Sequence, residues 1–325
     1  MRYIFCRPIT GLYDTLTQIE KCWQYAKTYD RTLVIDTSLS GLHCQFSDLF
    51  EIKPECRDID ITEPSVELEN RTKHYPTAPH ALQGRAPVKR EDLVHKFAED
   101  MLAETGESIR IDLDQNYQEP KLIYIRRGGS EESHKLLSKI KLNSSTREEI
   151  TSRLKDLPGD YIGVHVRNTD AKTNYEKFFR KNSKALKGEN VLVCSDDQEV
   201  IDFARNFLKD SNVFTTSVER SKDGSPLHAG LKAAGRGRSI AVEALIDLVA
   251  LSQAKRILYT KLNFGLGRRP MSVARAVMRI LLRRRQLWRI SGFTSLALYL
   301  QRNEQVRHSF IGGMTTSVRH SDLEC

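Results

Sequence analysis

The sequence predicts an α/β protein of two domains, and three observations support this prediction. The chain has 325 residues, which is too long for one small core and long enough for two. Near its start, two apolar runs flank a helical pattern, and this strand–helix–strand order favours parallel pairing. Residues 161–260 alternate short apolar runs with helical patterns, as expected of a doubly wound sheet.

The first half contains one clear strand–helix–strand unit followed by a long irregular region. RYIFCR (2–7) and TLVIDT (32–37) are typical of strands, and apolar residues recur at spacings of three and four across 12–30. Residues 38–118 carry five prolines, and so long an irregular stretch is unusual unless it has a function. A further strand is expected at KLIYIR (121–126).

The domain boundary is expected after a helix at 144–157. Ser145 and Glu148 match a capping box at the start of this helix, and LPGD breaks the helix at its end. We therefore expect a first α/β domain at 1–157 and a second domain that begins at residue 158.

The second half alternates predicted strands with predicted helices. The strands are short apolar runs, and the helices show apolar residues at helical spacing. The strands are expected at 161–167, 191–195, 212–217 and 256–260, and the helices within 174–187, 198–208 and 240–254.

Composition and charge limit the classes of function. A net charge of +9 indicates an anionic partner such as nucleic acid, a membrane surface or a phosphorylated small molecule. The six cysteines are scattered without a C-x-x-C pair, so we expect reduced thiols. No run approaches the roughly 20 apolar residues of a membrane span, and the first residues lack the apolar core of a secretory signal. A cytoplasmic location is therefore expected.

The positive charge is concentrated in one segment. Residues 267–290 hold eight arginines and no acidic residue. Such a pattern is typical of a basic helix on anionic lipid, or of a contact with nucleic acid. We expect at most a weak contact of the 268–289 arginines with an anionic membrane surface, and no nucleic-acid partner.

The strand at 161–167 ends in polar side chains. Because strand side chains alternate between faces, His165 and Arg167 point the same way in IGVHVR. Ligands of open α/β sheets bind outside the carboxyl ends of the strands, where an arginine can hold a phosphate with two hydrogen bonds. The alternative is a structural ion pair between Arg167 and Asp170 or another nearby carboxylate.

Further acidic residues follow the same pattern. VLVCSDD places Ser195, Asp196 and Asp197 at the end of the next strand, where Asp196 suits either a ribose or the N-cap of the following helix. Asp247 lies in an apolar helix four residues after Glu243, and a solvated helix face is the alternative there.

The chain carries four motifs in this order: IGVHVRNTD, VLVCSDD, GSPLHAG and ALIDLVALSQAKRILYT, preceded by the opening stretch TGLYDTL…WQYAKTYDRTLVIDT. Together they resemble the α-1,6-fucosyltransferase superfamily, and its rhizobial nodulation-factor branch in particular. The resemblance spans about residues 1–36 and 121–265, so it implies a second, GDP-sugar-binding domain at 158–265 and a divergent basic segment at 266–325. It implies a GT-B type fold, with two Rossmann-like domains facing across a cleft. It also implies inverting, metal-independent transfer of L-fucose from GDP-fucose to an N-acetylglucosamine of a chitin oligosaccharide, in α-1,6 linkage.

The resemblance implies catalytic roles for residues that match its motifs. Arg167 would bind the donor diphosphate, with His165 beside it, and a fixed guanidinium can stabilise the charge that grows on the leaving group. Glu176 is the candidate general base for the acceptor hydroxyl, with Lys172 nearby. The alternative for Glu176 and Lys172 is a solvated pair at a helix start.

The resemblance also implies a donor-binding set. Asn168 departs from the family, because the nodulation enzymes have a histidine there and the animal enzymes an arginine. The set comprises Asp196, Asp197 and Asp247 around the nucleoside, His228 on a donor-side loop, and Gly11, Asn168, Asp170, Ser195 and Asn263.

Two other classes of function stay open. The departure at Asn168 is compatible with a GT-B protein that binds a GDP-sugar or glycan without catalysis. The basic segment is compatible with a nucleic-acid or membrane-surface binder.

Overall fold

A computed structural model describes residues 1–96, 99–169, 172–218, 237–263 and 288–312. Across these ranges, none of the helices combines the length and the apolar character needed to cross a bilayer. Five cysteines of the described ranges are free thiols: Cys6, Cys22, Cys44, Cys56 and Cys194.

The described residues divide into two compact units, each built from separate stretches of chain. The first contains 1–152, 237–242 and 303–312, and the second contains 153–218, 243–263 and 288–302. The domain limits taken from the sequence, at residues 157 and 265, stay a prediction.

The first unit is built on a five-stranded parallel sheet with strand order β4-β2-β1-β8-β5. Its strands are β1 (Tyr3–Pro8), β2 (Thr32–Ile35), β4 (Ile61–Thr62), β5 (Thr77–Ala78) and β8 (Lys121–Arg126). The expected helix between the first two strands is α1 (Leu12–Tyr29), so the predicted strand–helix–strand unit is confirmed.

The region 38–118 is more ordered than the sequence indicates. Two of its segments, β4 and β5, are strands of the main sheet, and the prediction of an irregular region is wrong there. Strands of two residues are too short to show a periodic pattern. The other elements of the region are β3 (Phe50–Ile52), α2 (Val66–Thr72), β6 (Leu93–Lys96) and β7 (Glu99–Leu102).

The last part of the first sequence half folds into α3 (Glu132–Lys139), β9 (Ile140–Leu142) and α4 (Ser144–Leu154). The predicted capping box of Ser145 and Glu148 is wrong. Helix α4 begins earlier, and the Asn143 side chain accepts a hydrogen bond from the Thr146 backbone N–H at 2.8 Å. Asparagine is as good an N-cap as serine. The residue at which the helix begins, and not the residue type, therefore makes Asn143 the cap instead of Ser145.

The second unit contains a four-stranded parallel sheet with strand order β12-β11-β10-β13. The predicted alternation of strands and helices is confirmed. Its strands are β10 (Ile162–Val166), β11 (Asn190–Ser195), β12 (Asn212–Phe214) and β13 (Arg256–Tyr259), and its helices include α5 (Tyr175–Leu186) and α6 (Gln198–Phe207). Helix α7 (Gly237–Gln253) contributes residues 243–253 to this unit.

The last described part of the chain also forms regular secondary structure. A short antiparallel pair, β14 (Leu262–Asn263) and β15 (Trp288–Arg289), precedes α8 (Gly292–Arg302) and α9 (Glu304–Ile311). Helix α8 buries Leu296 and Leu300 completely in the second unit. Helix α9 belongs to the first unit, where Phe310 lies 6.2 Å from Phe50 between ring centroids.

Helix α7 packs against the middle strand of the second sheet at a glycine. A Cβ atom added at Gly163 would lie 2.9 Å from Leu251 Cδ2 and 3.1 Å from Ala254 Cβ. The hydrogen atom of glycine therefore allows the helix to approach β10 closely, and this contact helps to position the strand that carries His165.

We expect Gly163→Ala to lower the free energy of unfolding by about 1–3 kcal/mol, because the extra methyl group overpacks the contact between α7 and β10. Urea unfolding followed by circular dichroism measures the change. Gly159→Ala is the matched control, since a Cβ atom there meets nothing within 4 Å. Equal unfolding midpoints for the two variants would contradict the expectation.

Candidate functional site

The candidate site lies at the carboxyl edge of the second sheet. His165 is opposite Cys194 of β11 and Tyr259 of β13, so β10 is flanked on both sides. His165 is buried and Arg167, just beyond the strand, is half-buried. Since all four strands are parallel, their carboxyl ends meet at this edge, as the position of a ligand site requires.

The His165 ring is covered by the segment that begins α8. Nδ1 of His165 lies 2.7 Å from Oγ1 of Thr294 and 3.5 Å from Oγ of Ser291. The imidazole also stacks on Phe293, with ring centroids 5.1 Å apart and an interplanar angle of 29°. Sequence reasoning missed these three residues because they lie more than 120 positions away, although Ser291 before an apolar run is an N-cap signal.

Burial holds His165 in its neutral form. Loss of hydration, with a smaller effect from the nearby Arg167 cation, lowers the pKa of His165 from 6.5 to about 3. The imidazole therefore carries no charge at neutral pH. The positive charge of this strand end at that pH comes from the Arg167 guanidinium.

The turn after Arg167 is held by two acidic side chains. Asp196 accepts hydrogen bonds from the Asn168 backbone N–H at 2.9 Å and from the Thr169 hydroxyl. The Asn168 amide donates to Asp197 at 2.8 Å and accepts from the Thr173 backbone N–H at 3.0 Å. Asn168 therefore uses both ends of its side chain to fix the turn.

Asp197, and not Asp196, is the N-cap of α6. The Asp197 side chain accepts from the Glu199 backbone N–H at 3.0 Å, and its own N–H donates to Ser195 Oγ at 3.2 Å. The expectation that Asp196 caps this helix is wrong, because α6 begins directly after Asp197. Lys172 approaches the same carboxylate, at 3.6 Å.

Asp247 does not lie on a solvated helix face. Its carboxylate accepts from the hydroxyls of Thr216 and Ser217, and it is only 9% exposed. Glu243, one turn earlier, accepts from the Val218 backbone N–H at 2.8 Å. Helix α7 thus uses both acids to hold the segment that follows β12.

The structure does not bring Glu176 and Lys172 together as a pair. Glu176 lies in the first turn of α5, is 53% exposed, and contacts Arg180 at 3.3 Å. Lys172 is paired with Asp197 instead. Their catalytic roles stay predictions.

The other predicted donor-binding residues have separate positions. Gly11 precedes α1 in the first unit as its N-cap, and a Cβ atom there would meet nothing within 4 Å. Asp170, His228 and the side chain of Asn263 lie outside the described residues, as do the side chains of the 268–289 arginines. No group of three or more metal-binding side chains occurs among the residues that the structure describes. Metal independence stays a prediction.

Comparison with known proteins identifies the fold. No protein-family model and no curated sequence matches the chain. A crystal structure of NodZ α-1,6-fucosyltransferase soaked with GDP-fucose is similar, with 20% identity, 92% of each chain covered and a TM-score of 0.56. NodZ from Bradyrhizobium is similar with 19% identity, 91% of each chain covered and a TM-score of 0.55. The chain therefore has the α/β fold of a GT-B type fucosyltransferase structure, which confirms the predicted fold class.

Proposed function

We propose that the protein is a fucosyltransferase that transfers L-fucose from GDP-fucose to an acceptor sugar with inversion. One observation carries the proposal. Arg167 stands beside a neutral, buried histidine at the carboxyl edge of the second sheet, in a fold shared with an enzyme whose crystal was soaked with GDP-fucose.

The arrangement suits departure of a nucleoside diphosphate. Negative charge grows on the diphosphate as the bond to the sugar breaks, and a fixed guanidinium stabilises that charge most in the transition state. Two parallel N–H···O bonds from Arg167 would also orient the group. The neutral His165 can add a hydrogen bond without placing a second cation beside the arginine.

Inversion requires the acceptor hydroxyl to attack the face opposite the leaving diphosphate, and the hydroxyl proton must pass to a base. We propose Glu176 for this role, with Lys172, four residues earlier in the chain and paired with Asp197, as a second catalytic candidate. The proposed acceptor is an N-acetylglucosamine of a chitin oligosaccharide, as the sequence resemblance implies, and the proposed linkage is α-1,6, as in the name of the NodZ enzyme. We also propose that the reaction needs no metal, because Arg167 supplies the cation, and that it takes place in the cytoplasm.

A second candidate function is binding of a GDP-sugar without transfer. The exposure of Glu176 and its contact with Arg180 favour it, because a general base is normally held by its surroundings and not by a surface ion pair. Asn168 has its side chain fully used inside the turn, which also separates this chain from the family pattern.

Incubation of the protein with GDP-fucose and a panel of chitin oligosaccharides tests transfer directly. We expect one acceptor to gain the mass of one deoxyhexose, detected by mass spectrometry, with release of GDP. Glu176→Gln is expected to lower the rate by roughly 10²–10⁴-fold while GDP binding stays unchanged, since it removes only the base. GDP binding without any mass gain would support the binding protein and contradict the enzyme.

We expect Arg167→Ala to raise the dissociation constant of GDP by roughly 10- to 100-fold, because it removes charge-assisted hydrogen bonds to the diphosphate. Arg167→Lys should recover part of the loss, since it restores charge without the bidentate geometry. Titration calorimetry measures both. Arg205→Ala on the exposed side of α6 is the control, and equal losses at positions 167 and 205 would count against a specific phosphate contact.

The buried histidine predicts a dependence of stability on pH. The pKa of His165 is about 3 in the folded protein and 6.5 ordinarily, so below pH 6.5 the unfolded chain binds a proton that the folded chain does not. The contribution of the neutral histidine to the free energy of unfolding is fully present above pH 6.5. It is lost as the pH falls toward 3, and the loss at pH 5 is about 2 kcal/mol. Urea unfolding at pH 7.5 and 5.0 should show this loss in the wild type and a smaller one in His165→Asn. The same loss of stability between pH 7.5 and 5.0 in both proteins would refute the assignment of this loss to His165.

A further inference from the structure

The hydroxyl groups of Ser291 and Thr294 form a hydrogen-bonded chain that ends at Nδ1 of His165. The Thr294 backbone N–H donates to Ser291 Oγ at 3.0 Å, and Ser291 Oγ lies 2.9 Å from Thr294 Oγ1. Thr294 Oγ1 in turn lies 2.7 Å from Nδ1 of His165. The three side chains are 3%, 0% and 8% exposed, in the order Ser291, Thr294, His165, so solvent does not compete for these bonds.

The backbone N–H gives this chain a direction. It can only donate, so Ser291 Oγ accepts at that position. The buried hydroxyl proton of Ser291 then needs an acceptor, and Thr294 Oγ1 is within reach. Thr294 consequently directs its own proton to Nδ1. The opposite direction would leave the Ser291 proton without a good acceptor among the described groups, which costs free energy in a buried site.

A hydrogen bond received at Nδ1 decides the state of the other ring nitrogen. A neutral imidazole carries one proton, so when Nδ1 accepts, Nε2 holds the N–H. Within the described ranges, the hydrogen bonds of the ring all involve Nδ1. Nε2 therefore carries a donor and not a lone pair that would repel an anion.

We propose that Ser291 and Thr294 are positioning residues that fix His165 as the Nε2-protonated tautomer, which donates a hydrogen bond to the diphosphate of the donor. The part concerning the diphosphate rests on the proposed function. The part concerning the tautomer rests on the hydroxyl chain alone, so the two are tested separately.

The tautomer is measured on the ligand-free protein by ¹⁵N NMR of labelled histidine, with the His165 signals assigned by their loss in His165→Asn. We expect Nε2 to be protonated and Nδ1 unprotonated. In Thr294→Val, which keeps the shape and removes the hydroxyl, a mixture of both tautomers should appear. Thr294→Ser should restore the single tautomer, and Ser291→Ala is a second variant that keeps Thr294 in place.

Thr260→Val is the matched control. Thr260 follows β13, its backbone N–H donates to the His165 carbonyl at 3.1 Å, and it is 6% exposed. Its Oγ1 atom has no hydrogen-bond partner among the described residues, so its loss should leave the His165 tautomer unchanged. A wild-type His165 protonated on Nδ1, or an unchanged tautomer in both Thr294→Val and Ser291→Ala, would overturn the positioning role.

Calorimetry with GDP tests the second part. Thr294→Val should weaken GDP binding by the factor by which the donating fraction of His165 falls, about twofold for an even mixture of tautomers, with recovery in Thr294→Ser. A changed tautomer with unchanged GDP affinity would overturn donation to the diphosphate. A wild-type protein that binds no GDP would overturn the proposed function and this donation together, while the NMR result on the tautomer would stand.

Discussion

The candidate site depends on the hydrogen bonds that satisfy the polar end of a buried strand. β10 is buried along its whole length, and His165 is the polar side chain near its carboxyl end. A polar group at that depth must find partners, and the ring finds them in Thr294 and Ser291. Beyond the strand, Asn168 is held by Asp196 and Asp197. The backbone of Arg167 is therefore fixed on both sides by different parts of the chain.

The acidic residues near this edge show how carboxylates can lie close to the proposed phosphate contact of Arg167. Asp196 and Asp197 accept from backbone N–H groups, an amide and a hydroxyl, and Asp197 lies at the positive end of α6. Asp247 accepts from two hydroxyls. These donors compensate the negative charge locally. The resemblance assigns the same acids to the nucleoside, so any ligand contact would be made in addition to these internal bonds.

The sequence predicted the sheet of the second unit well and the details of its edge less well. Alternating apolar runs indicate strands directly, and IGVHVR identified the strand end that carries His165 and Arg167. The predicted helix caps lay one or two residues from the observed caps, Asp197 and Asn143. Neighbouring polar residues are equally good cap candidates until the start of the helix is known. The two-residue strands β4 and β5 were missed because they are defined by their pairing with β2 and β8, and a segment of two residues shows no periodic pattern. The cover of His165 was missed because spatial proximity across more than 120 residues leaves no local signal.

The cover of His165 by the start of α8 also affects how the protein is made. A ribosome translates from the amino end, so β10 is synthesised long before Thr294 exists. During that interval the imidazole lacks the hydroxyls that satisfy it in the finished protein. The strands β10, β11 and β12 are synthesised well before α8, but the cover of His165 is completed only after α8 has been made. A nascent chain that stalls before this helix would therefore hold a sheet with an unfinished site.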